Sequence, residues 1–252
     1  MSPRAPRESA SVVEALRIAA PSDEPLALDR LRAVAADQAA GTRTLRASTV
    51  YPAATLLSVL IAGRSVASGV DVLQRLRPEA LFGAGPMGAL IPPLVGGVAL
   101  LGLVLLVLGR VRWLGMGRGW DLVEARTWLS AARALVAAGA TGSAAFRGAS
   151  ALLSGRARRR GEALAFALEA GSAPAVRSVL PSHHERFLLG GARAGALDET
   201  LAALDDHQRL TTSLELPREA ARLQMMGLLL TGASLGAVFL LWFGTYARAI
   251  LG

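Results

Sequence analysis

Two long stretches of the chain carry no formal charge, and they dominate its pattern of hydrophobic and polar positions. Residues 80–109 form the first stretch, thirty residues long, and residues 223–247 form the second, twenty-five residues long. About 20 apolar residues in a helix cross the hydrocarbon core of a bilayer, and a helix satisfies its own backbone there. The pattern therefore predicts membrane helices at 86–109 and 223–247, the second followed by a short tail at 248–252.

A weaker apolar stretch at residues 49–70 predicts another membrane helix. Arg64 interrupts it, and an arginine at the centre of a bilayer costs about 2.5–3.5 kcal/mol on insertion scales. Arg64 lies toward one end of the stretch, where its long side chain can reach the headgroups. We therefore expect three membrane spans, with a loop at 71–85 between the first two.

The positions of the arginines set the expected orientation of these spans. They flank the first span on its N-terminal side, follow the second span and precede the third, whereas only Arg248 follows the third. Arginine-rich flanks stay in the cytoplasm. We therefore expect residues 1–48 and 110–222 in the cytoplasm, and 71–85 and 248–252 on the opposite side. The charged N-terminus has no adjoining apolar segment, so we expect no secretory signal peptide.

Residues 110–222 have the pattern of a helical bundle. Apolar residues recur there at helical spacing, and capping-box patterns at 121–124 and 182–185 predict helix starts. Gly139, Gly171 and the stretch Gly191–Gly195 predict breaks. Two shorter helices are expected before the first span, at 12–19 and 26–39. Since no window alternates as a strand does, the expected fold class is an all-α membrane protein with three transmembrane helices and one cytoplasmic bundle.

The composition excludes several kinds of chemistry. All 27 residues counted as lysine or arginine are arginine, and the chain has no cysteine. A Walker-type phosphate loop, a Schiff base, a cysteine nucleophile and a thiolate zinc site are therefore ruled out. We expect no enzyme activity, no catalytic residue, no metal and no cofactor.

The sequence of residues 232–236 matches the nucleophile elbow of esterases, Gly-x-Ser-x-Gly. That elbow requires a strand before the serine, whereas these residues lie in a predicted membrane helix. Gly232 and Gly236 are better explained by close packing of two helices, because they lie four residues apart on one helix face.

Three charged clusters are weighed as binding sites. His183 and His184 are adjacent, so they diverge on a helix and predict a solvated helix start rather than a metal site. Acidic residues near 198–206 predict a charged outer face, with ion binding by Asp198 and Asp205 as the alternative. An arginine cluster without interleaved aromatics predicts contact with anionic lipid or an acidic partner rather than nucleic acid; it comprises Arg156, Arg158, Arg159 and Arg160.

Two sequence motifs stand out beside these clusters. The first is a basic residue, a few small residues and Tyr-Pro, here Arg46, Tyr51 and Pro52. The second is a Gly-x-x-x-Gly-x-Leu-x-x-x-Leu pattern, here Gly191, Gly195, Leu197 and Leu201. Both motifs resemble those of the type II secretion system F family, the inner-membrane platform proteins of secretion and type IV pilus machines. In that family the second motif is a turn near the end of a cytoplasmic bundle, and its first glycine is followed by glutamate, which is Ala192 here.

The resemblance implies a scaffold role in the bacterial inner membrane. It implies a platform that couples a cytoplasmic secretion ATPase to pseudopilin assembly and export, in contact with other inner-membrane secretion subunits, with lipids and with copies of itself. Family members usually have two cytoplasmic bundles, so residues 1–48 would be the remnant of a first. The alternatives are a tight-adherence pilus platform subunit and a small transporter or channel.

Overall fold

The computed structural model describes residues 5–76, 118–172 and 178–251, and these residues are helical apart from short connections. No strand occurs among them, which confirms the all-helical prediction for this part of the chain. The helices are α1 (Ala5–Ala19), α2 (Glu24–Leu76), α3 (Arg118–Ala137), α4 (Gly142–Ala151), α5 (Gly155–Glu169), α6 (Ser182–Arg193) and α7 (Leu197–Leu251).

The chain divides into two compact units. The first comprises Met1–Thr44 and Arg118–Pro217, and the second comprises Leu45–Gly117 and Arg218–Gly252. Helices α2 and α7 therefore each contribute their first part to one unit and their second part to the other.

The core of the first unit is built around Trp128 of α3, which is fully buried. Its ring stacks on Phe146 of α4 with a centroid separation of 5.3 Å, and its Nε1 donates a hydrogen bond to Ser150 Oγ at 3.0 Å. A buried indole N–H needs such a partner, because leaving it unsatisfied costs about 1–3 kcal/mol. Trp128 thus joins α3 to α4 by an apolar and a polar contact at once.

The N-terminal helices belong to the same core. Val12 and Leu16 of α1 and Leu31 of α2 are buried in one hydrophobic cluster with Trp128. Where α1 approaches α4, a Cβ at Gly148 would lie 2.8 Å from the carbonyl oxygen of Ala15. The N-terminal helices and residues 118–217 therefore form one packed unit, which the sequence pattern did not predict.

Glycines end three helices of this unit as predicted, but the break predicted at Gly191–Gly195 begins only after Arg193, because α6 continues to that residue. Neither capping box forms. Gly139, Gly171 and Gly195 have φ angles of 85°, 61° and 74°, in the left-handed region that glycine adopts at little cost. Helix α3 begins three residues before Asp121, so that residue lies in the first turn rather than at the N-cap. Helix α6 begins at the predicted place, but its N-cap is Pro181, without a side-chain capping bond.

Two of the predicted membrane spans fall on described helices, residues 49–70 on α2 and residues 223–247 on α7. In the part of the chain that the structure describes, no helix combines the length and the apolar character needed to cross a membrane. The span predicted at 86–109 lies outside the described residues. The described parts of the predicted loop at 71–85 and tail at 248–252 are helical, because α2 extends to Leu76 and α7 to Leu251.

Candidate functional site: an arginine-lined cleft in the first unit

A cleft of about 550 Å³ lies in the first unit, between the first part of α2, α3 and the first part of α7. Ligand-binding clefts have volumes of roughly 300–1,000 Å³, so this one has room for a small molecule. Its charged lining residues are four arginines and two aspartates, namely Arg30, Arg126, Arg133, Arg209, Asp37 and Asp205.

Asp205 is the buried centre of the site, with no solvent-exposed surface. The Ser130 hydroxyl donates a hydrogen bond to its Oδ1, and Arg133 Nη1 lies 3.0 Å from its Oδ2. Arg209, one turn further along α7, places Nη2 3.1 Å from the same Oδ2. A buried carboxylate is tolerated only when it is paired and hydrogen-bonded. These contacts satisfy that requirement and cross-link α3 to α7.

Arg133 is held between two carboxylates. Besides Asp205, its Nη1 lies 3.1 Å from Oδ1 of the exposed Asp206. Burial disfavours the charged form of Arg133, but the hydrogen bonds and charges of Asp205 and Asp206 outweigh it and raise the pKa of Arg133 above its ordinary value. The guanidinium is therefore a permanent cation in the wall of the cleft.

The acidic outer face predicted near residues 198–206 is correct only in part. Asp198, Glu199 and Asp206 are exposed, as expected, but Asp205 points into the unit. The ion site suggested for Asp198 and Asp205 is not assembled. The Asp198 side chain is exposed, whereas the Asp205 carboxylate is already paired with Arg133 and Arg209. In the described residues, no group of three or more histidine, cysteine, aspartate or glutamate side chains could hold a metal ion.

The opposite wall of the cleft carries an excess of positive charge. Arg126 Nη2 of α3 lies 2.6 Å from Asp37 Oδ2 of α2, which pairs these two groups. Arg30, on the same wall and exposed, makes no ion pair with a residue that the structure describes. Asp205 is already paired with both Arg133 and Arg209, and Asp37 with Arg126. The two carboxylates of the cleft therefore do not neutralise its four arginines.

The residues of the second motif, which begins at Gly191, have structural roles in the first unit. A Cβ at Gly191 of α6 would overlap Thr200 Oγ1 and lie 2.7 Å from Thr200 Cβ, so α6 and α7 meet there with no room for a side chain. Gly195 forms the turn between them, and Leu201 is fully buried. Leu197 packs against the core.

The other predicted motif residues lie in the second unit. Arg46, Tyr51 and Pro52 are on α2, and the Arg46 side chain is exposed. Gly232 and Gly236 are exposed on α7, and a Cβ at either would meet no described atom within 4 Å. Within the described residues, no second helix packs against Gly232 and Gly236. Their role in close helix packing therefore stays a prediction.

Two of the four clustered arginines on α5 stabilise the bundle itself. Arg158 lies 2.9 Å from Glu162 and 3.0 Å from Glu14 of α1, and the hydrogen bonds to Glu162 and then Glu14 raise the pKa of Arg158. Arg160 Nη1 lies 3.4 Å from Asp121 Oδ1 of α3. Arg156 and Arg159 are exposed and make no ion pair with a described residue. Only these two arginines are left for a partner.

The three histidines of the chain lie together, which the sequence did not predict. The ring centroids of His183 and His184 are 4.2 Å apart, and those of His184 and His207 are 5.3 Å apart. His184 is buried, its Nδ1 has no hydrogen-bond partner among the described residues, and burial, followed by the charges of His183 and His207, lowers its pKa to about 4. The predicted solvated helix start is right for His183 and wrong for His184, which lies four residues before the buried Leu188.

No protein-family model, curated protein or solved structure matches this chain. The resemblance to the type II secretion system F family therefore rests on the motif residues alone.

Proposed function

We propose that the chain is an inner-membrane platform subunit of a type II secretion or type IV pilus-like machine. In this role it is a multi-pass membrane protein with three transmembrane helices, and its arginine-rich bundle lies in the cytoplasm. The bundle receives force from a secretion ATPase, and the membrane helices guide pseudopilins out of the bilayer. The protein is a scaffold and not an enzyme.

The observation that carries the proposal is the exposed apolar surface of α7 in the second unit. Leu229, Phe239 and Phe243 are more than half exposed, and Met225 is 62% exposed. Burying apolar surface is worth about 25 cal/mol per Å², so such a surface calls for a lipid or protein environment. The uncharged stretch at 80–109, outside the described residues, supports the same conclusion from the sequence.

The proposed partners follow from charge and from small residues. Arg156 and Arg159, exposed on α5, suit an acidic surface of a secretion ATPase, because complementary charge speeds and orients docking. Gly232 and Gly236 lie on α7 with open space around them, which suits close approach of a helix from a second copy or from another secretion subunit.

A tight-adherence pilus platform subunit is the second candidate. Helices α1 and the first part of α2 share one core with residues 118–217. The first unit is thus a single bundle, whereas the two-bundle arrangement of most family members would need a separate N-terminal core. A small transporter or channel is disfavoured, since the sequence of the second and third predicted spans contains no aspartate, glutamate, arginine or histidine.

The proposed function is tested by deleting the gene in its own host and measuring surface filaments and exported protein. We expect both to be lost and to return when the wild-type chain is supplied. Arg159→Glu should complement poorly at a normal protein level, because it reverses charge on the proposed ATPase contact. The exposed Arg186→Glu on α6 is the matched control and should complement fully. Normal filaments and export in the deletion strain would refute the proposal.

A further inference from the structure

We propose that the arginine-lined cleft binds the phosphate group of a small phosphorylated molecule. The site is formed by α2, α3 and α7 of the first unit, and its lining includes Arg30 of α2 and Thr212 of α7. This inference is independent of the platform function and of membrane insertion.

The charged residues that line the cleft do not balance. Four guanidinium groups line the cleft against two carboxylates, an excess of two positive charges. Asp206, which also contacts Arg133, is 66% exposed on its side chain and does not line the cleft. A phosphate monoester carries a charge of roughly −1.5 to −2 at pH 7, which matches the excess better than a single carboxylate does. Arginine also presents paired N–H donors with the geometry that phosphate oxygens accept.

One residue that lines the cleft, Thr212, has an unsatisfied hydroxyl. Thr212 is 1% exposed, and its Oγ1 has no hydrogen-bond partner among the described residues. The other hydroxyl groups of the cleft are all occupied: Thr44 donates to Ala40 O, Thr127 to Val123 O, and Ser130 to Asp205. A buried polar group without a partner is costly, and it is typical of a site that a ligand completes.

One cation of the cleft, Arg30, takes no part in holding the helices together. Arg126, Arg133 and Arg209 each hold a carboxylate, whereas Arg30 is exposed and makes no ion pair with a described residue. Arg30 and Thr212 are therefore a charged group and a hydroxyl of the lining that have no partner among the described residues. Arg30 is exposed, so its replacement should leave the fold intact. Thr212 is buried, so it is replaced by valine, which has nearly the same size and shape.

The test uses the full chain, purified in a nonionic detergent, with inorganic phosphate as the probe. Thermal unfolding is followed by tryptophan fluorescence in phosphate, chloride and acetate at equal ionic strength and pH. A ligand that binds only the folded state raises Tm. We expect phosphate to raise Tm by several degrees in a saturable manner, and chloride and acetate to leave it unchanged. An equal shift in chloride or no shift in phosphate would overturn the proposal, and an equal shift in acetate would assign the cleft to a carboxylate instead.

Two variants and one control locate the binding site. Arg30→Gln and Thr212→Val should each weaken the apparent affinity for phosphate, Arg30→Gln by about tenfold or more. Arg32→Gln removes the same charge from the same helix outside the cleft, and it should bind phosphate as the wild type does. If Arg30→Gln and Arg32→Gln bind equally, phosphate is held elsewhere and the proposal fails. Export in the host strain is a separate measurement, so either proposal can fail without the other.

Discussion

Replacing Asp205 with asparagine should lower the free energy of unfolding by about 3 kcal/mol. Breaking a fully buried ion pair costs about 3–5 kcal/mol, and we take the lower value because Arg133 and Arg209 are 35% and 54% exposed on their side chains. Asparagine keeps the size of the side chain and can still accept a hydrogen bond from Ser130. The decrease in the free energy of unfolding therefore measures how much the negative charge of Asp205 contributes to joining α3 to α7. Urea unfolding of the full chain, monitored by tryptophan fluorescence, measures it.

Asp206→Asn is the matched control for this experiment. Asp206 is the adjacent residue, also contacts Arg133, and is 66% exposed on its side chain. Exposed ion pairs contribute about 0–1 kcal/mol, so this change should have little effect on stability. Equal losses for the two variants would contradict the assignment of Asp205 as the buried link.

Replacing Gly191 with alanine should destabilise the protein by about 2 kcal/mol. The added methyl group would overlap Thr200 Oγ1, with Thr200 Cβ and Cγ2 only 2.7 and 2.8 Å away. Overpacking of this kind costs about 1–3 kcal/mol, because the helices must shift apart. The same urea titration measures the change.

The neighbouring Gly190 provides the control. It lies in the same helix, and a Cβ built there meets nothing within 4 Å in the described structure. Glycine in a helix interior is about 0.5–1 kcal/mol less favourable than alanine, so Gly190→Ala should be neutral or slightly stabilising. If both substitutions had the same effect, α6 and α7 would not approach each other as closely as described.

Local features of the fold were predictable from sequence because their causes are local. Gly139, Gly171 and Gly195 break helices through their own backbone freedom, and Leu201 and Leu204 lie inside because helical spacing places them on one face. The helix starts were predicted less well. Capping patterns are short and common, and at 121–124 the helix had already begun upstream.

The candidate site was not predictable, because its partners are distant in the chain. Asp205 has the charge of a surface residue, and it is buried only because Ser130 and Arg133, 75 and 72 residues away, meet it across a helix interface. Likewise, Val12 and Leu16 join the Trp128 core through contacts that no local periodicity reveals. The two N-terminal helices therefore looked like a separate remnant.

The membrane anchoring and orientation of the chain are tested most directly with sealed membrane vesicles. Inverted inner-membrane vesicles and intact spheroplasts are treated with trypsin, for which Arg156 and Arg159 are exposed cleavage sites, and parallel samples are washed with alkaline carbonate. We expect cleavage of the bundle only in the inverted vesicles, and retention of the chain in the carbonate pellet. Cleavage of the bundle in intact spheroplasts, or release of the chain by carbonate, would contradict a membrane platform with a cytoplasmic bundle.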